Sequence, residues 1–209
     1  MGWKGKYSAV TFLLLVSLVL PAGSAEIKPL EIFSEKIFVL EIEHFASEHG
    51  MSSALVRKAV DRLNREMNIM SEERTRESLK LLATARETLA TAMGTSKSLS
   101  GYISTNSGQL KAAGHGKYLP LARLDNDIEK PYHEALDRFL ATAADFVQFC
   151  HDNLEAITTG KAVENSQYDR LYAAYLREME AFNTRSVVRS QQLGDWANEY
   201  PALWELLPR

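Results

Sequence analysis

Cysteine occurs once in the 209 residues, at Cys150. An internal disulfide is therefore excluded, and the fold stands on packing alone. Long apolar runs are equally scarce. Ala9 to Leu20 offers about a dozen residues where crossing hydrocarbon takes roughly 20, and Pro21 stops it. No second apolar stretch approaches that length, which excludes a polytopic membrane protein. Positive charge is not in excess either, with 24 Lys and Arg against 27 Asp and Glu. Nucleic acids and anionic membranes are recognised through clustered positive charge, so both are poor partners for this chain. Also missing are a Gly-rich phosphate loop, Gly-x-Ser-x-Gly, His-Glu-x-x-His and the haem-attachment motif Cys-x-x-Cys-His. Their absence leaves no motif-based assignment to nucleotide binding, serine hydrolysis, zinc proteolysis or covalent haem. No stretch alternates apolar with polar residues, and no Asn-Gly turn joins two β-branched runs, which argues against a sheet.

What is present begins with a targeting pattern. Lys4 and Lys6 precede the apolar run, and Gly23 and Ala25 stand at the −3 and −1 positions of a small-residue exit. This is the layout of a secretory signal peptide, with cleavage predicted after Ala25 and no Cys to carry a lipid. The leader's loss removes both lysines and makes the product more acidic than the net charge of −3 of the full chain. Residues 26–209 are then expected to form a single exported domain, periplasmic or secreted. Retention of residues 9–20 as a membrane anchor is the alternative.

From Glu26 onward apolar residues recur every three or four positions, the period of a helix. Leu30, Phe33, Ile37 and Leu40 make a first stripe that His44 extends, with a stop predicted at Gly50. Ser52 or Ser53 then offers a cap for a second stripe, Val56, Val60, Leu63, Met67 and Met70. At Ser71 that register fails, so the helix either breaks, with Ser71 as a new cap, or carries a stutter. Leu79, Leu82, Leu89 and Met93 follow. Residues 94–117 turn to Ser, Thr, Gly and Asn and read as a weakly structured segment.

The strongest pattern runs from Leu121 through Leu124, Ile128, Tyr132, Ala135, Phe139, Phe146 and Phe149 to Asn153, with Pro131 demanding a kink or a restart. A Ser166-x-x-Asp169 cap opens a last long helix bearing Tyr168, Tyr172, Tyr175, Met179 and Phe182, whose stripe turns polar at Ser186 and Arg189. Asp195 to Leu207, with Trp196, Tyr200 and Trp204, reads as a short aromatic helix across the end. The predicted architecture is all-α, an elongated antiparallel four-helix bundle of coiled-coil character with that aromatic helix at its C-terminus.

Few residues invite chemistry. Glu41-x-x-His44 has the spacing by which one helix offers a carboxylate and an imidazole to a metal, but carboxylate-bridged bundles need two such motifs and there is one. Glu129, His133 and Asp137 form an i, i+4 ridge that reads as a solvated, ion-paired face with Lys130 and Arg138, and as a metal site only if another helix adds ligands. Cys150 and His151 are neighbours about 100° apart on a helix, poor geometry for a nucleophile–base pair, so Cys150 reads as a buried thiol. Non-covalent haem would call on His44 or His151 with Met67 or Met179. Tyr168, Tyr172 and Tyr175 read as core or as the wall of a pocket. The expectation is a non-enzymatic exported helical module without a cofactor, binding a protein partner or a small ligand. The alternatives are a metal- or haem-binding bundle and a membrane-anchored structural or sensory coiled coil.

Overall fold

The computed structural model describes residues 35–69, 71–159 and 165–207. The predicted leader, Leu30, Phe33 and Met70 lie outside them. Every regular element among the described residues is helical, as the three-and-four spacing predicts. None of these helices is long and apolar enough to cross a membrane.

The first helix, α1, spans Glu35–Glu66 without a break at Gly50. A glycine inside a helix costs about 1 kcal/mol against alanine. Burial of Ile42 and Ala46 before it, and of Val56 and Leu63 after it, outweighs that cost. Ser52 is consequently not a cap. Its hydroxyl donates back to the His49 carbonyl at 2.9 Å and lies 2.7 Å from Thr95 Oγ1 on the next helix.

At Ser71 the chain does break. α2 spans Glu72–Thr105, and the Ser71 hydroxyl accepts from the Arg74 N–H at 3.3 Å, with Glu72 and Glu73 in the first turn. The stretch 94–117 carries more structure than its composition suggests. α2 persists to Thr105, α3 spans Ser107–Ala112, and a 3₁₀ turn covers Gly116–Tyr118. Leu99, Tyr102, Ile103 and Leu110 are all buried, which suffices to hold a helix rich in hydroxyl residues. Many of those hydroxyls bond back to the preceding turn, as Ser98 does to the Gly94 carbonyl. α3 ends in a Schellman motif: the His115 N–H reaches the Leu110 carbonyl at 2.7 Å and the Gly114 N–H that of Lys111 at 3.2 Å. Gly114 takes the positive φ of 78° that the motif requires.

Three consecutive pieces form the next rod: α4 (Pro120–Arg123), a π-helical turn (Leu124–Glu129) and α5 (Lys130–Asp152). Pro131 explains the π turn. It has no N–H for the carbonyl four residues back and its ring crowds that carbonyl, so the helix widens before it. The Lys130 N–H reaches the Asp125 carbonyl, five residues away, and the Asp127 carbonyl that Pro131 leaves without a donor accepts from Arg185 at 3.2 Å. α6 (Leu154–Thr159) follows, then α7 (Asn165–Glu199) and α8 (Pro201–Trp204). Asp195 to Glu199, expected in the terminal helix, belong to α7.

α1 packs on α2, α2 on α5, and α5 on α7, whereas α1 and α7 make no extensive contact among the described residues. Two apolar cores result. One gathers Ile42, Leu99, Ile103, Leu121, Leu124, Trp196 and Leu203; the other gathers Val56, Leu63, Leu82, Leu89, Leu140, Val147 and Phe182.

Candidate functional site

Between those cores lies a belt of buried polar side chains, one to three from each rod. α1 supplies His49, α2 supplies Ser96 and Ser100, the π turn supplies Asp125 and Glu129, and α5 supplies His133. Arg189 reaches in from α7. The π turn is what makes this possible: one extra residue in a turn rotates what precedes it by about 100°, and so brings acids onto an inner face.

Glu129 and His133 are 2% and 1% exposed, and His49 is 3% exposed. The solvated-ridge reading of Glu129 and His133 is thus corrected. They face inward, while Asp137, the third member of that ridge, stays half-exposed beside Arg86 at 3.7 Å. The Glu129 carboxylate is held by a guanidinium fork, with Arg189 Nε to Oε2 at 2.9 Å and Nη2 to Oε1 at 2.7 Å. Arg189 also lies over the Tyr132 ring, 4.5 Å from its centroid. His133 Nε2 stands 3.8 Å from Glu129 Oε2. On the other side of the turn, Ser96 donates to Asp125.

Burial governs the protonation of this belt. Desolvation pushes His133 down to about 4 despite the Glu129 carboxylate beside it. His49 is lowered for the same reason, with Glu129 and Asp125 opposing. Asp125 is raised by burial, against the stabilising hydrogen bond of Ser100 and the nearby His49. At neutral pH both histidines are therefore uncharged, and the fork joining Glu129 to Arg189 is internally neutral.

A cleft of about 270 Å³ opens onto this belt along the seam where α1 and α7 fail to meet. His49, Ser53 and Arg57 line the α1 wall; Ser186, Arg189 and Leu193 line the α7 wall. Glu129, Tyr132 and His133 form the floor, and Trp204 and Leu207 close one end. His49 Nδ1 and Ser53 Oγ are buried with no hydrogen-bond partner. Buried polar atoms are satisfied in the great majority of cases, so two orphans one turn apart beside a cleft point to a missing ligand or water. A larger groove of about 650 Å³ between α5 and α7 is shallow and open, lined by Arg138, Arg177, Glu180 and Arg185.

The other residues singled out by sequence do not come together. His44 is exposed and pairs with Glu48 at 3.5 Å rather than pointing inward. Glu41 is half-buried, its carboxyl raised by desolvation against the pull of His44. Leu40, expected in the same apolar stripe, is 55% exposed. The buried face of α1 is instead Ile42, Ala46, His49, Val56 and Leu63, a register hidden by its small and polar members. Met67 and Met179 pack into the second core, away from solvent-facing His44. Cys150 is buried, and burial pushes its thiol up, away from thiolate chemistry. Tyr168, Tyr172 and Tyr175 pack on the phenylalanine column of α5; the Phe146 and Tyr175 rings stack at 5.5 Å. Among the described residues no three His, Cys, Asp or Glu side chains are arranged to hold a metal ion. In the belt Arg189 already occupies the one carboxylate nearest an imidazole.

The polar turn of the α7 stripe at Arg189 is the trace this belt leaves in the sequence, where it reads only as the end of the apolar face. A charged residue in register with an apolar face looks inward, and it needs a buried partner. No family model, no curated protein and no solved structure matches this chain.

Proposed function

We propose that this protein is an exported, non-enzymatic helical module that holds a small ligand in the cleft between α1 and α7. Its four rods, α1, α2, Pro120 to Asp152 and α7, form an antiparallel bundle left open along one seam. Supporting the antiparallel order, early residues of α1 share a core with late residues of α2, and late residues of α1 share one with early residues of α2. The observation that carries the ligand reading is the pair of orphaned buried atoms, His49 Nδ1 and Ser53 Oγ, beside a cleft with largely polar walls and an apolar end at Trp204 and Leu207. The α7 wall is prearranged: Arg189 is clamped by Glu129 and Tyr132 of the floor before any ligand arrives, which lowers the cost of ordering on binding.

A small-molecule library screened by ligand-observed NMR and thermal shift tests this. Compounds that bind the protein and lose binding in Ser53→Trp, which fills the cleft, support it; a library with no such compound removes it. Export rests on the leader, and mass spectrometry of the product from the native host checks it through a chain starting at Glu26. A protein partner is the second reading, favoured by the exposed row Leu40, Met51 and Leu55 on α1. Its test is whether replacing all three with Gln abolishes a complex recovered from the native host.

A further inference from the structure

The chemistry of the cleft narrows what it takes. Its charged lining consists of Arg57 on one wall, Arg189 on the other and Glu129 between them. Both Glu129 oxygens are already used by Arg189. A cation entering the cleft would find no free carboxylate and would face two guanidinium groups. An anion meets the reverse. Arg57 is exposed at the rim with no carboxylate at ion-pair distance among the described residues, and Arg189 commits only Nε and Nη2 to Glu129, leaving Nη1. The two histidines add no positive charge at neutral pH, so the lining carries one net positive charge, not three.

The uncharged lining is mixed: the imidazoles of His49 and His133 and the hydroxyls of Ser53, Ser186 and Ser190 stand beside the apolar and aromatic surfaces of Tyr132, Leu193, Trp204 and Leu207. A bare inorganic anion leaves those surfaces unused. The volume of about 270 Å³ equals the liquid share of about nine water molecules.

From this we infer that the cleft binds a small amphipathic monoanion, a carboxylate on a hydrocarbon or aryl body of about ten heavy atoms. This rests on the ligand-cleft reading above. The carboxylate sits between Arg57 and Arg189, within reach of the Ser53 hydroxyl, and the body lies toward Trp204 and Leu207. Arg57 is the discriminating residue, because it is the cation with no internal partner.

Four probes test the inference by calorimetry on the full chain: 3-phenylpropanoate, 3-phenylpropan-1-ol and 3-phenylpropylamine, which differ in head group alone, and inorganic phosphate, an anion without the hydrocarbon body. The expected result is binding of the phenylpropanoate about tenfold more tightly than the alcohol, with the amine and phosphate weaker still. Arg57→Gln should bring the acid down to the level of the alcohol and leave the melting temperature unchanged, since Arg57 is exposed. Preference for the amine or the alcohol overturns the anionic class but leaves a ligand cleft standing. Equal binding of phosphate overturns the amphipathic part. Silence from all four overturns the inference outright, and if the wider library also yields nothing that Ser53→Trp abolishes, the cleft reading falls with it.

Discussion

The second core and the polar belt solve the same problem, filling the space between rods, by opposite means. The core around Leu89, Leu140 and Phe182 uses apolar shape alone, including the Phe139 and Phe182 rings stacked at 5.5 Å. The belt one or two turns away fills its layer with two acids, two imidazoles and a guanidinium. Apolar packing is forgiving of chemistry and intolerant of lost volume. A buried charged layer reverses this: volume matters less, and each group depends on a named partner. The belt is also where the cleft lies. A layer that satisfies its polar atoms internally would need no ligand, and this one leaves His49 Nδ1 and Ser53 Oγ unmet.

The sharpest way to break the comparison is to remove one partner from the belt. Arg189→Met strands the Glu129 carboxylate, whose side chain is 3% exposed. The expected loss is about 3–5 kcal/mol of unfolding free energy by denaturant titration. Glu129→Leu should cost less, because Arg189 is 22% exposed and can turn toward water. The double variant should recover much of the loss of Arg189→Met. A double variant no better than that single change would mean the belt is held by shape, like the core. In the core, Leu140→Ala should cost about 2–5 kcal/mol. No second-site change of charge should rescue it, since what is lost is volume.

The all-helical class was legible because it needs only the period of apolar residues, and Leu121 through Phe149 supplied it over many turns. Phase was harder. On α1 two stripes share that period, and the one with the larger side chains, Leu40, Met51 and Leu55, is the exposed one. Gly50 read as a stop because propensity is local, while the packing that carries α1 through it comes from α2. The belt was the least legible part. Glu129 and His133 at i, i+4 look the same on a solvated face or a buried one. What decides is Arg189, sixty residues away from Glu129, which no local pattern connects to it. Tertiary pairing of this kind leaves one trace in sequence, a charge where the stripe calls for an apolar residue, and Arg189 shows it.

The smallest of these effects is a dependence on pH that the apolar core should lack. His133 is held at about 4 in the folded protein by burial, against an ordinary 6.5 in the unfolded chain. Between those values the unfolded state binds the proton and the folded state does not. The stabilisation is therefore complete above 6.5 and is lost progressively as pH falls toward 4. Between pH 7.5 and 5.5 this one group should cost about 1 kcal/mol, and His49, lowered in the same direction, should steepen the slope. Asp125 works the other way. Its raised carboxyl favours the folded state at low pH and loses that contribution as pH rises from 3.8 through the folded value, so it offsets part of the histidine effect on acidification. Glu129 and Arg189 face the same space, and the fork between them keeps the carboxylate from simply charging His133. Unfolding titrations at the two pH values should show the slope in the parent and in Leu140→Ala alike, and a shallower one in His133→Gln. An unchanged slope in His133→Gln would assign the titration to other groups and leave this imidazole as packing.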